Sequence, residues 1–150
     1  MDYNYVSPYI VAAGLGWIVA QLTKYVIASA KHGRLASYRQ LYLSGRMPSA
    51  HSATTVSLLV TVAAFDGVDS AVFGIVFLFT LVVLYDAMMV RRSSGEQGIA
   101  LSALMKEQKS KVPYPRVAMG HTPMEVAVGS LLGLVVGLSV VTFYNALLLV

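Results

Sequence analysis

The fold of this chain is decided by residues 70–90, SAVFGIVFLFTLVVLYDAMMV, which carry one charged side chain, Asp86. A helix needs roughly 20 predominantly apolar residues to cross about 30 Å of hydrocarbon, and this stretch has that length. The sequence therefore predicts a transmembrane helix here.

Two further apolar runs of similar length, residues 9–30 and residues 123–149, lie on either side of this stretch. Each of them also predicts a transmembrane helix. A fourth run, residues 49–65, is shorter and rich in Ser, Thr and Ala. Taken alone it is compatible with a re-entrant segment or a buried helix, but its three neighbours favour a further span.

Backbone groups find no hydrogen-bond partners in lipid, so a chain that crosses a bilayer must pair them internally. The sequence contains no alternating segments of about ten residues, which are the pattern of a membrane barrel. We therefore predict an all-α integral membrane protein. It is expected to be a bundle of four transmembrane helices in a single domain over residues 1–150, with a polar loop face that carries the site.

The composition is typical of a membrane protein. The chain is 57% hydrophobic and 12% charged, whereas soluble chains average about a quarter charged residues. Its net charge of +4 does not indicate nucleic acid, because the basic residues lie beside membrane-length runs and no nucleic-acid motif interleaves them. The expected partners are the membrane and lipid phosphates. The absence of cysteine excludes disulfides and thiolate metal sites.

All 11 Lys and Arg residues lie between Lys24 and Arg116. With four spans, the loops 31–48 and 91–122 fall on one side of the membrane, and Lys24 reaches that side by snorkelling. The other side carries aspartates but no Lys or Arg. By the positive-inside rule, we expect a protein of a bacterial-type plasma membrane whose basic loops and site face the cytoplasm.

The last apolar run carries a repeated small-residue face formed by Gly129, Gly133 and Gly137. Small residues four apart let another backbone approach closely, so we interpret this face as a packing surface. Its neighbour could belong to the same chain or to a second subunit. Four helices are few to enclose a site, which makes a homodimer a hypothesis to test.

The loop after the third run has helical character over residues 94–111, where apolar and charged side chains alternate. Such a pattern is typical of a helix lying at the membrane interface. Pro113 and Pro115 are expected to end it.

The second run begins with RMPSAHSA, residues 46–53. Ser49 is placed to cap this helix, and the free amides of the first turn form an anion site that Arg46 would strengthen. His51 would then overhang that site.

The fourth span begins with GHTPME, residues 120–125. Thr122 is the expected N-cap, followed by proline in the first helical position. The third run ends on the same face with Asp86 and the pair Arg91 and Arg92. Two histidines and two helix N-termini are therefore predicted to meet on one membrane face.

A histidine pair among cations is what phosphoryl transfer through a phosphohistidine requires. One imidazole attacks phosphorus, the other protonates the leaving alkoxide, and Arg or Lys stabilises the equatorial oxygens. Glu125, four residues after His121, is the candidate for orienting the attacking ring. However, Thr122-x-x-Glu125 is also a capping box, in which the glutamate reaches back to the cap's own amide. The sequence leaves both roles open.

Three blocks, MPSAHSA, YDAMMVRRSSGEQ and GHTPMEVAVG, resemble those of the divergent branch of the type 2 phosphatidic acid phosphatase and haloperoxidase-related family. The resemblance covers nearly the whole chain and implies a lipid phosphatase that uses no metal or other cofactor. By this resemblance His51 corresponds to the general acid and Ser49 to a phosphate ligand of the Pro-Ser-Gly-His motif, with Ala in place of Gly. His121, with Glu125 in place of Asp, corresponds to the nucleophile of the His-x3-Asp motif.

The main family's Lys-x6-Arg-Pro motif is absent, and no Ser-Arg pair precedes His121 at the family's distance. Lys24 and Arg34 match the first motif only loosely. Cations of the middle block, Arg91 and Arg92, are candidates to replace the missing ones. The predicted phosphate-binding set is Lys24, Arg46, Ser49, Arg91 and Arg92.

Asp86 has three candidate roles. It could form an ion pair with Arg91 or Lys24, orient a catalytic histidine, or bind a divalent cation together with Glu96. The ion pair is the simplest of these.

The leading hypothesis is hydrolysis of a lipid phosphate monoester or pyrophosphate through a phosphohistidine on His121. His51 would act as acid, and Glu125 or Asp86 would orient a ring. Two alternatives remain: a membrane protein that binds lipid phosphates without turnover, and a metal-dependent headgroup phosphotransferase. The sequence does not identify the lipid.

Overall fold

The structure, a computed structural model, describes residues 6–32, 47–115, 117 and 119–148. Within these ranges the chain is helical and has no strand, so the predicted all-α class is confirmed. The elements are α1 (Pro8–His32), α2 (Ala50–Phe65), α3 (Ala71–Tyr85), a π turn (Asp86–Val90), α4 (Arg91–Glu107) and α5 (Pro123–Leu148).

Three helices of the described chain are long and apolar enough to cross a membrane. They are Pro8–Lys31, Ala71–Glu107 and Pro123–Leu147. By contrast, α2 has 16 residues, which at 1.5 Å per residue is about 24 Å and less than the roughly 30 Å of a hydrocarbon core. The fold is thus an all-α membrane bundle of three long apolar helices around one shorter helix. Its treatment as a single domain stays a prediction.

The shorter helix α2 lies at the centre and packs against α1, α3 and α5. Its buried side chains are mostly small or hydroxylated. The Ser57 hydroxyl donates to the Ala12 carbonyl at 2.7 Å, and the Thr61 hydroxyl donates to the Ser57 carbonyl at 2.8 Å. Because buried hydroxyls need such partners, the Ser- and Thr-rich composition is explained by the three helices that pack against α2.

The glycine face of α5 packs against α2 of the same chain, which confirms its predicted packing role. A methyl group at any of these positions would come closer to the α2 backbone than van der Waals contact allows. The contacts pair Gly129 with Ser49, Gly133 with Ala53, and Gly137 with Ser57 and Val60. Residue numbers rise together in both helices, so α2 and α5 are parallel and begin at the same end of the bundle.

The third helix does not end near residue 90 as predicted. It runs without a break over Ala71–Glu107, about 55 Å at 1.5 Å per residue, because no proline or glycine interrupts residues 91–94. The helix predicted over residues 94–111 is present as α4, but it continues α3 instead of forming a separate element. Its position at the membrane interface stays a prediction. The helix ends at Glu107, before the prolines, and Lys109 just beyond it has a left-handed φ of 51°, which stops the helical hydrogen bonding.

Candidate active site

A cavity of about 230 Å³ lies at the end of the bundle where α2 and α5 begin. It is bounded by the first turn of α2, the end of α3 with the π turn, and the segment that precedes α5. The lining residues are His51, Val82, Val83, Asp86, Ala87, Arg91 and His121. The structure thus brings together both histidines that the sequence singled out, with one cation and one carboxylate.

The buried His121 is held by Glu125. His121 Nδ1 lies 3.1 Å from Glu125 Oε2, and the same oxygen accepts the Thr122 backbone N–H at 3.1 Å. In return, the Thr122 hydroxyl accepts the Glu125 N–H at 3.3 Å, which completes the capping box. The two roles left open by the sequence are therefore filled by one carboxylate. An ionised carboxylate only accepts hydrogen bonds, so Nδ1 carries the proton and Nε2 keeps its lone pair.

The backbone on either side of His121 is fixed by the π turn. The His121 N–H donates to the Ala87 carbonyl at 2.9 Å. Gly120 lies directly against the next turn, where an added Cβ would be 2.7 Å from the Arg92 Cα. Sequence reasoning missed Ala87 and Gly120, because a single π turn has no simple compositional signal.

The π turn also allows Asp86 and Arg91 to pair. Residues five apart on an α-helix point about 140° away from each other, since each residue turns about 100°. Here the Arg91 N–H bonds to the Asp86 carbonyl, and the Arg91 side-chain Nε donates to Asp86 Oδ2. Of the three roles considered for Asp86, the structure shows the ion pair. The pair is partly exposed, so it contributes little to stability and is free to exchange.

Arg92 does not line the cavity with the histidines, contrary to its predicted role as a phosphate ligand. Its Nε donates to Glu96 Oε1 at 3.2 Å on an exposed surface. The physical reason is the rotation of the helix by about 100° per residue: Arg92 follows Arg91 by one residue and therefore points in a different direction. Because Glu96 lies with Arg92, it does not join Asp86. No cluster of three or more His, Cys, Asp or Glu side chains that could hold a metal occurs among the described residues.

Ser49, also predicted as a phosphate ligand, is fully buried and is not part of the cavity wall. It caps α2: its hydroxyl oxygen accepts the Ser52 hydroxyl at 2.8 Å and the Ser52 N–H at 3.4 Å. The Ser49 N–H in turn donates to the Glu125 carbonyl at 3.1 Å. Close contact with Gly129 covers it, so its role in this structure is structural.

Lys24 is 6% exposed and does not snorkel to solvent as predicted. Its ammonium lies within electrostatic range of Glu125 and of both histidines, yet it has no ion-pair partner within the described part of the chain. A buried charge without a close partner is costly, so this position favours binding of an anion. Arg46 and Arg34 lie outside the described residues, and the predictions made for them stay predictions.

His51 and His121 differ in environment. His51 is exposed in the first turn of α2, whereas His121 is 6% exposed. Burial lowers the pKa of His121 below its ordinary value of 6.5, and the nearby charges of Lys24 and Arg91 lower it further. The hydrogen bond and charge of Glu125 act in the opposite direction without cancelling the burial. His121 is therefore neutral at pH 7, the state in which Nε2 can act as a nucleophile.

Two comparisons connect the chain to other proteins. The sequence model of the divergent PAP2 family matches residues 6–136, a range that contains every residue of the cavity. The chain is 31% identical over 116 residues to the uncharacterized membrane protein YuiD of Bacillus subtilis (strain 168), over 67% of this chain and 73% of that relative. No solved structure matches.

Proposed function

The chain belongs to the divergent PAP2 family, and from this premise we propose that it hydrolyses a lipid phosphate monoester or pyrophosphate through a phosphohistidine on His121. The observation that carries the proposal is the hydrogen bond between His121 Nδ1 and Glu125. It leaves the other ring nitrogen unprotonated in a cavity that His51 shares. That combination of an oriented, neutral imidazole and a second imidazole matches the requirements of covalent phosphoryl transfer.

In the first step His121 Nε2 attacks phosphorus, and the bond between phosphorus and the leaving oxygen breaks. His51 in its protonated form donates its proton to that oxygen, so the lipid alcohol, or the lipid monophosphate in the case of a pyrophosphate, leaves with that oxygen protonated. Burial and the charge of Arg91 lower the pKa of His51, which makes its protonated ring a stronger acid. Glu125 stabilises the positive charge that develops on the His121 ring, as the carboxylate of a catalytic triad does.

In the second step water attacks the phosphohistidine. His51, now neutral, takes a proton from the water, the bond between phosphorus and Nε2 breaks, and inorganic phosphate leaves. Both histidines return to their starting protonation states. The site therefore needs no co-reactant other than water.

Arg91 and Lys24 would hold the phosphate oxygens. Arg91 already lines the cavity, and its partly exposed pair with Asp86 can open when a more highly charged phosphate arrives. Lys24 is a buried cation near both histidines, so it offers charge in a region of low dielectric. Arg46 is a further candidate from the sequence.

We propose that the site faces the cytoplasm. The basis is the charge distribution: Lys24 to Arg116 hold all 11 basic residues, and the turn at the opposite end of the bundle carries Asp66 and Asp69. The positive-inside rule assigns the basic face to the cytoplasm. Labelling of Ser94→Cys in intact cells tests this, and reaction with a membrane-impermeant reagent would reverse the assignment.

The activity is tested by measuring phosphate release in mixed micelles from phosphatidic acid, phosphatidylglycerophosphate and a polyprenyl pyrophosphate. We expect release from at least one of them and, because His121 is the nucleophile, loss of about 10⁶-fold in rate for His121→Ala. Release from none of the three, or full activity in His121→Ala, would reject the proposal.

The burial of Lys24, with no ion-pair partner among the described residues, favours a second candidate, a membrane protein that binds lipid phosphates without turnover. A buried cation attracts an anion whether or not chemistry follows. Binding of phosphatidic acid that survives His121→Ala, with no phosphate release by the parent, would select this alternative. The homodimer also stays a prediction, tested by the oligomeric state in detergent.

A further inference from the structure

One face of α3 connects the cavity to the lipid-facing surface. Four apolar side chains at helical spacing i, i+3, i+4 and i+7 form this α3 stripe, and each is between 55% and 69% exposed. They are Ile75, Leu78, Phe79 and Val82. Val82 is at once 57% exposed and part of the cavity wall. The stripe therefore meets the cavity wall at Val82.

The length of the stripe matches one leaflet. Asp86, at the polar end of the cavity, lies eleven residues after Ile75, which corresponds to about 16 Å along the helix. A hydrocarbon core is about 30 Å thick, so this is close to half of it. The stripe thus covers the depth that the tail of a lipid occupies when its headgroup lies at the cavity.

The cavity is too small for a whole lipid. Its volume of about 230 Å³ is below the roughly 300 Å³ at which pockets enclose a drug-sized ligand. Its polar lining consists of His51, Asp86, Arg91 and His121. Val82 and Val83 lie about one turn before Asp86, toward the middle of the long apolar helix. Such a site can enclose a phosphate and the first carbons while the rest of the molecule lies outside.

We infer that the α3 stripe binds the hydrocarbon tail of the substrate, which reaches the histidines from the bilayer at Val82. The substrate class is then a long-chain lipid phosphate in the same leaflet as the site, rather than a water-soluble phosphate ester. This inference rests on the proposed function. Other exposed faces, such as that of Val135 on α5, do not lead to the cavity.

The kinetic test compares Val82→Trp with Val135→Trp, two exposed valines of similar exposure, 57% and 55%. Each variant is assayed with dipalmitoyl and with dihexanoyl phosphatidic acid. We expect Val82→Trp to lower kcat/KM for the long-chain substrate about tenfold more than for the short-chain one, and Val135→Trp to change neither by more than about twofold. Equal losses on both substrates, or no loss in Val82→Trp, would overturn the inference.

A second measurement does not depend on turnover. The parent protein is placed in phosphatidylcholine vesicles with phosphatidic acid that carries a diazirine in the middle of one acyl chain, and crosslinked peptides are identified by mass spectrometry. We expect labelling over residues 75–82 to exceed that produced by the same photoreactive chain on phosphatidylcholine, and to fall when unlabelled phosphatidic acid is added. Identical labelling by the two lipids contradicts the tail path. Failure to release phosphate in the activity assay, with selective labelling retained, would instead reject only the proposed chemistry.

Discussion

Glu125 Oε2 lies 3.1 Å from His121 Nδ1 and also caps the helix that follows. The orientation of the ring and the start of α5 therefore depend on one oxygen atom. Because α5 packs through its glycines on α2, the helix that carries His51 is aligned with the same cap. The Glu125 carboxylate thus orients His121 directly, and it sets the start of α5, whose packing on α2 aligns His51.

Replacing this carboxylate by an amide separates its two roles. Glu125→Gln keeps an oxygen that can accept the Thr122 N–H, but it removes the charge that stabilises a His121 imidazolium. We expect kcat to fall by at least about 10–100-fold, the cost of losing a group that orients a metal-binding histidine. Thermal unfolding in detergent should change little, whereas Glu125→Ala should also lose a cap worth about 1 kcal/mol.

The Glu125→Gln variant distinguishes a catalytic role of this glutamate from a purely structural one. If Glu125→Gln retains the parent's kcat, the hydrogen bond to His121 has no part in catalysis and the glutamate is only a cap. If both variants lose activity and stability in parallel, the effect is structural.

The pH dependence follows from the burial of His121. Its pKa is lowered below 6.5 by burial, so in the range just below pH 6.5 the unfolded chain binds more protons than the folded one. By linkage, stability is present in full above pH 6.5 and is lost as pH falls from 6.5 toward the lowered folded pKa. The reaction needs neutral His121, so the acidic limb of the pH–rate profile should have its midpoint below pH 6.5.

The measurement is the NMR titration of the His121 ring, together with the free energy of unfolding as a function of pH. His121→Gln is the matched variant, and it should lose less stability than the parent on acidification below pH 6.5. A His121 titration midpoint at or above 6.5 would show that the bond to Glu125 outweighs burial.

Gly120 is expected to be intolerant of a side chain. A methyl group there would meet the backbone of Arg91 and Arg92 and push His121 away from the Ala87 carbonyl. We expect Gly120→Ala to cost about 1–3 kcal/mol, the usual range for overpacking, and to reduce kcat. Gly74→Ala is the control, because nothing lies within 4 Å of a Cβ at that position. If the two variants have the same thermal unfolding and the same turnover, the packing of Gly120 against the π turn does not position His121.

The large features of this molecule could be predicted from the sequence because they depend on apolar length and helix-start chemistry. The runs at 9–30 and 123–149 set α1 and α5 to within two residues, and the segments around His51 and His121 placed both rings at helix N-termini. The partner of the glycine face could not be predicted, since the pattern describes only one of the two surfaces.

The wall of the cavity was harder to predict. The π turn shifts the helical phase, so that Asp86 and Arg91 share the cavity while Arg92 leaves it. No local rule distinguishes two adjacent arginines in that setting. Ser49 matched a motif by identity, but close packing of α5 on α2 covers it. In the sequence Val82 is one apolar residue among many, and only the cavity lining shows that it lies beside the histidines.

The two adjacent arginines provide the sharpest test of the phosphate site. Arg91 lines the cavity with both histidines, whereas Arg92 pairs with Glu96 outside it. Arg91→Ala should raise KM for a lipid phosphate about 10–100-fold, since a hydrogen bond to a charged group contributes about 1.5–3 kcal/mol. Arg92→Ala removes the same charge one residue away, so the two variants share any general effect of basic charge at the membrane surface, and its KM should stay within about twofold of the parent. Equal increases in the two variants would mean that Arg91 acts through the surface potential and does not bind the phosphate.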